Sequence, residues 1–187
     1  MNRLFLASLC SVMLFLGCSS KNKNIPQTKE CVVENQEAPV WICAPKDTKE
    51  YITAVGSAEK SPLGFSFQRT EAMAAARDEL ARRISVKVKN LFKRFESNTG
   101  VKKETTTEKV VENVSKHLSD VTLKDSKILA TWQSKNGTLY VLVGVPKKNI
   151  EEGIKTSLRS KDALYQKYLA DKEWKKLDKE IKAEFEE

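Results

Sequence analysis

Met73-Ala74-Ala75-Ala76-Arg77-Asp78-Glu79-Leu80-Ala81-Arg82-Arg83-Ile84-Ser85-Val86-Lys87-Val88-Lys89-Asn90-Leu91-Phe92-Lys93-Arg94-Phe95 is the stretch that decides the fold. Met73, Ala76, Leu80, Ile84, Val88, Leu91 and Phe95 recur at spacings of three or four residues, which puts them on one face of a long helix. The small residues at its start, Ala72 and Ala74 to Ala76, let that helix approach a sheet closely. Asn98-Thr99-Gly100 breaks it.

On the N-terminal side, Tyr51-Ile52-Thr53-Ala54-Val55-Gly56 is rich in β-formers and ends at a glycine, so it reads as a strand. Residues 57–66, with Pro62 and Gly64, read as a loop. Beyond the long helix, Glu104 to Leu118 reads as a second helix with Val110, Val111, Val114 and Leu118 facing inward. Ile128, Ala130 and Trp132 then alternate, Asn136-Gly137 supplies a turn pair suited to positive φ, and Leu139, Val141, Val143 and Val145 alternate again. That is a hairpin with Tyr140 and Leu142 on its other face. Pro146 ends the second strand, and Asn149 can cap a helix carrying Ile150, Ile154 and Leu158. From Lys161 to Glu187 charges of both signs surround scattered apolar residues, a charged helical tail that reads either as a projecting arm or as part of the core.

The order strand, long helix, second helix, strand, strand, helix implies an α+β domain. A three-stranded, antiparallel-containing sheet carries the long helix on one face, in a strand-helix-strand-strand arrangement, with a further C-terminal helix. The opposite sheet face then needs cover from the terminal helix or from another subunit.

The first residues carry a different signal. Arg3 precedes an apolar run from Leu4 to Leu16, about 13 residues against the ~20 that a membrane span needs. Leu14-Phe15-Leu16-Gly17-Cys18 closes it, and polar residues follow at once. Residues 1–17 therefore read as a lipoprotein signal and Cys18 as the lipidated first residue of the mature chain. An ordinary secretory signal with a chance cysteine is the competing reading. Ser19 is not the aspartate of an inner-membrane retention signal, so the outer membrane is the expected destination. Residues 18–38 read as a polar tether, 39–160 as the domain and 161–187 as the charged tail.

Once Cys10 leaves with the signal and Cys18 takes lipid, Cys31 and Cys43 remain. They pair with each other, stay as thiols or bridge to another chain. A bond closing so short a loop in an oxidising compartment contributes ~3 kcal/mol on chain-entropy grounds. A metal site is not expected, because the single histidine, His117, lies far away and no CxxC occurs. No cofactor is expected either. The glycine loop of a phosphate site is missing, and Gly56-Ser57 lacks the flanks of a nucleophile elbow. An enzyme is therefore not the expected class.

In 187 residues the hydrophobic share of 40% suffices for a core, and 31% charged residues imply a domain body outside the membrane. Arg82, Arg83, Lys87, Lys89, Lys93 and Arg94 fall in one helical stretch without an acid, in a chain of net charge +8. They form either a basic face for anionic headgroups or acidic proteins, or a solvated outer face. Nucleic acid is not an expected partner. Trp41 reads as a cap on the core, with an exposed recognition tryptophan as the alternative.

Pro39-Val40-Trp41-Ile42 followed by Tyr51-Ile52-Thr53-Ala54-Val55-Gly56-Ser57-Ala58 resembles the entry of the Lpp-twenty lipoprotein family. Ala74-Ala75-Ala76-Arg77-Asp78-Glu79-Leu80-Ala81 resembles its central helix, and Thr138-Leu139-Tyr140-Val141-Leu142-Val143-Gly144-Val145 its closing strand. The resemblance runs from about Pro39 to Val145 and implies a dodecin-like fold. It also implies an outer-membrane lipoprotein, since the family includes surface antigens and a FlgP-like branch that builds disks or rings around the flagellar motor. The expected function is thus an anchored structural or assembly subunit of the envelope, associated with the flagellar motor, self-associating or binding other envelope proteins. A monomeric surface lipoprotein that binds a host or envelope ligand is the alternative.

Overall fold

The structure, a computed structural model, describes residues 30–99, 104–160 and 171–186. In chain order these form β1 (Cys31–Val33), β2 (Gln36–Ala38), α1 (Val40–Cys43), β3 (Tyr51–Ala58), α2 (Phe65–Thr99) and α3 (Glu104–Asp125). Then follow β4 (Lys127–Gln133), β5 (Leu139–Pro146), α4 (Lys147–Ser160) and α5 (Asp171–Glu186). The fold is α+β, with a three-stranded antiparallel sheet, the long helix packed on it and a C-terminal helix, as the residue pattern implies.

The sheet has the order β3-β5-β4, so β5 lies in the middle. Its residues alternate: Leu139, Val141, Val143 and Val145 are buried beneath α2, while Tyr140 and Leu142 face the other way and are half-buried. In β3 the buried apolar side chains are Ile52, Ala54 and Ala58. A bulge between Ile128 and Ala130 shifts the register of β4, so Trp132 pairs with Tyr140 on the outer face.

With 35 residues, α2 is about 50 Å long, more than a strand of eight residues can cover. Its first half packs on β3 and β5 through Ala72, Ala76 and Leu80. Its second half runs past the sheet, and there Val88, Leu91, Phe92 and Phe95 belong to the same apolar cluster as Val114 and Leu118 of α3 and Leu177, Ile181 and Phe185 of α5. All the predicted stripe residues are buried except Met73, which is half-buried against the core.

Several expectations need correction. The polar tether does not extend to Ala38, because Cys31–Val33 and Gln36–Ala38 pair as a hairpin. Its two-residue turn, Glu34-Asn35, has φ of 52° and 59°, the left-handed pair that suits the twist of a tight hairpin. Strands of three residues carry too little periodicity to be seen in sequence. The end of the chain is not a projecting arm: Leu177, Ile181 and Phe185 are no more than 1% exposed and complete the core beside α2 and α4. Residues 161–170 of that predicted tail lie outside the described residues. In the β4–β5 turn only Gly137 has positive φ, at 90°, while Asn136 does not. Lys135, Asn136 and Gly137 form a three-residue loop closed by Ser134 and Thr138. Asn149 does not cap α4, which starts at Lys147; its amide nitrogen donates instead to Asp125 Oδ2 at 3.0 Å.

Candidate functional site

The outer sheet face is covered in part, and the cover within the chain comes from the residues before β3 rather than from the terminal helix. The β1–β2 hairpin and α1 lie beside β5, tied together by a disulfide between Cys31 and Cys43 with Cα atoms 5.7 Å apart. Two contacts seat this cap on the β4–β5 end: Tyr140 donates its hydroxyl to Glu34 Oε1 at 3.3 Å, and the Lys135 N–H donates to Gln36 Oε1 at 3.3 Å. Hydrogen bonding to Ser134 and Thr138 first, and to Tyr140 and Asn136 after them, holds the Glu34 carboxyl below its ordinary range. Burial, and then the Glu34 charge, pushes the Tyr140 phenol up. The Trp132 and Tyr140 rings meet at 5.5 Å on this face. Trp41 is half-buried in α1 within the cap.

The edges of the sheet differ. At β3 the Thr53 N–H donates to Asp47 Oδ1 at 3.0 Å and the Thr53 carbonyl accepts from Arg83. Arg83 also pairs with Asp47 at 3.1 Å, so the loop before β3 and the side of α2 close this edge together. At β4, among the described residues, nothing pairs with the outer backbone edge.

The six basic residues of α2 do not share one face. Arg82 pairs with Glu79 one turn earlier, and Arg83 is the β3 edge clasp. Lys87 lies 3.6 Å from Glu184, which also binds Arg94, so both fasten α5 to α2. Lys89 and Lys93 line a groove of about 520 Å³ between α2 and α3, with Phe92 and Val111 at its apolar side and Glu96, Glu108 and Glu112 around it. Apart from Glu79, the acids that pair with the stretch are Asp47 and Glu184, far away in sequence, so the run carries no acid of its own. His117 is half-buried on α3 near Gly153 of α4. Among the described residues no group of three or more metal-binding side chains converges.

One residue beyond these candidates has a legible signal. Gln68 continues the α2 stripe at positions 68, 72, 76 and 80, a polar side chain on an apolar face. It is 2% exposed and donates to the carbonyls of Ala58 at 3.0 Å and Gly137 at 2.7 Å, tying the start of α2 to the ends of β3 and the β4–β5 turn.

A long helix on a three-stranded antiparallel sheet, with a disulfide-tied hairpin over the opposite face, defines the class as a small, disulfide-tied α+β domain. The sequence model of the LPP20 lipoprotein family matches residues 39–146, and the chain belongs to that family. Membership makes it a lipoprotein of the cell envelope. The match spans α1 to the end of β5, leaving the β1–β2 hairpin, α4 and α5 outside it. No curated protein is similar enough to the chain to count as a relative. No helix among the described residues is long and apolar enough to cross a membrane. Cys18 and the rest of the predicted signal lie outside the described residues.

Proposed function

We propose that the protein is a non-enzymatic lipoprotein, held at the outer membrane by acyl chains on Cys18, that serves as a structural or assembly subunit of the envelope. The observation that carries the assembly reading is the asymmetry of the sheet. One edge is closed by Asp47 and Arg83 on Thr53, while β4 presents an open edge on which a second strand can pair. Anchoring confines such subunits to one surface, where the high local concentration makes weak lateral contacts effective.

The test is the size of the unlipidated chain by sizing chromatography and electron microscopy. Large species are expected, and Thr131→Pro, at an exposed residue of β4, is expected to reduce them. A strictly monomeric domain at high concentration would count against assembly. Association with the flagellar motor is the narrower form of this proposal, and normal swimming of a deletion strain with an intact motor would remove it. Loss of lipid labelling in Cys18→Ala tests the anchor separately.

The groove between α2 and α3 favours a second reading, a monomeric surface lipoprotein that binds a ligand there. Protease accessibility of the domain on whole cells is expected in that case, and protection would exclude it.

A further inference from the structure

Among the described residues, three exposed large apolar side chains fall within five positions at the start of α2. Leu63 is 71% exposed, Phe65 57% and Phe67 41%, although a core is available one turn away. They are displayed on a built support. Leu63 N–H donates to Ser61 Oγ at 3.1 Å, Gly64 N–H to the Ser61 carbonyl at 3.1 Å, and Gln68 N–H to the Gly64 carbonyl at 3.2 Å. The buried Gln68 amide then ties this turn to both neighbouring strand ends. A turn so fastened holds its apolar side chains outward rather than letting them fold back.

We propose that Leu63, Phe65 and Phe67 form a lip that inserts into the interface of the lipid bilayer to which the protein is anchored. Exposed Lys60 and Arg69 flank the lip in sequence, and exposed Lys135 stands in the turn that Gln68 ties to this end of α2; against Glu59 and Glu71 they leave a small positive excess that favours anionic headgroups. The three side chains together offer on the order of 300 Å². That is well below the ~800 Å² per partner of a stable protein interface, whereas a fluid interface accepts a small convex apolar tip. Reach is sufficient as well. The described chain begins at residue 30, and the hairpin turn that follows sits at this same end of the sheet, on Tyr140 and Lys135. The residues between Cys18 and Glu30 span up to about 40 Å when extended, so anchor and lip can meet one bilayer. The lip would fix the orientation of the domain at that bilayer. The proposal rests on the anchoring of Cys18 only for bringing the lip to the membrane.

The test uses the lipidated mature protein in vesicles of phosphatidylethanolamine and phosphatidylglycerol containing brominated lipid. Phe65→Trp is compared with Val86→Trp, which lies on the same helix about 30 Å away and is 58% exposed. Quenching at least about three-fold stronger at position 65 is expected, and equal or absent quenching would overturn the lip. A second measurement needs no anchor. The unlipidated chain from residue 19, which holds every core residue and both disulfide cysteines, is sedimented with the same vesicles. Binding reduced about ten-fold or more by Leu63→Asp with Phe65→Asp is expected, with thermal unfolding unchanged. No binding to vesicles, or self-association abolished by the same pair of substitutions, would replace the bilayer with no partner or with a second copy. Failure of Cys18 labelling would remove the anchor while this vesicle result still decides the lip.

Discussion

Gly56 of β3 lies against the backbone of α2 at Ala76: a Cβ on Gly56 would stand 2.3 Å from the Ala76 nitrogen and 2.3 Å from the Ala72 carbonyl oxygen. Helix and sheet thus meet backbone to backbone, which only glycine on one side and alanines on the other allow. The obstruction is main chain, so no rotamer change relieves it. Gly56→Ala is expected to destabilise the domain by about 3 kcal/mol, lowering the melting temperature by about 6–12 °C. Ser57→Ala, one residue on and exposed, should stay within about 0.5 kcal/mol of the parent. Calorimetry on the two variants checks the pair.

The Cys31–Cys43 bond acts on a peripheral unit, so its loss should be local. Reduction, or Cys43→Ala, is expected to release up to about 3 kcal/mol of loop-closure stabilisation from the cap. Amide exchange should accelerate in β1, β2 and α1 while β5 and α2 remain protected. Trp132 and Tyr140 would gain access to water, shifting tryptophan emission to the red. Unchanged exchange at residues 31–43 would show that packing alone holds the cap.

How much of this was legible in the sequence depended on period and distance. The α2 stripe and the β4–β5 alternation announced themselves because each repeats enough times to define a face. The β1–β2 hairpin did not, since three residues give no period and its stability comes from a disulfide and from Glu34 reaching a turn about a hundred residues away. The basic run on α2 misled for the same reason. A sequence window shows that Lys87 and Arg94 lack local acids, but not that Glu184 comes back to meet them. Leu177, Ile181 and Phe185 have helical spacing, yet only contact with α2 and α4 distinguishes a docked helix from an arm. Gln68 was the visible exception, a polar residue in register with the stripe.

Docking of α5 combines this charge cluster with apolar burial, and the two parts should separate. Asn98 reaches Glu180 at 3.0 Å and Arg94 reaches Glu184, so α5 runs antiparallel to α2. Phe185→Ala removes a ring that is 1% exposed and is expected to cost about 3–4 kcal/mol. Glu184→Ala leaves Lys87 and Arg94 half-exposed and able to solvate, so the loss should be only about 1 kcal/mol. Urea midpoints of both variants give the ratio. A Glu184→Ala loss as large as that of Phe185→Ala would mean that charge, not burial, holds the helix.

The α4–α5 contact carries the clearest acid sensitivity. A hydrogen bond from the Lys155 ammonium, 2.7 Å from Asp178 Oδ1, is the main cause that holds the Asp178 carboxyl below its ordinary value of 3.8. Burial opposes this, and the Lys155 and Lys182 charges reinforce it. A carboxyl whose value is lower in the folded chain stabilises the fold above the unfolded value and loses that stabilisation as pH falls through the folded one. Asp178→Asn should therefore weaken the domain at neutral pH, and the gap from the parent should close below the ordinary aspartate range. Both partners keep solvent access, with side-chain exposures of 26% for Lys155 and 44% for Asp178. Screening then limits the gap to about 0.5 kcal/mol, and added salt should narrow it further. Urea titrations of parent and variant at pH 6 and pH 3 measure it. A gap that widens toward acid would show that Asp178 is held by something other than these ammonium groups.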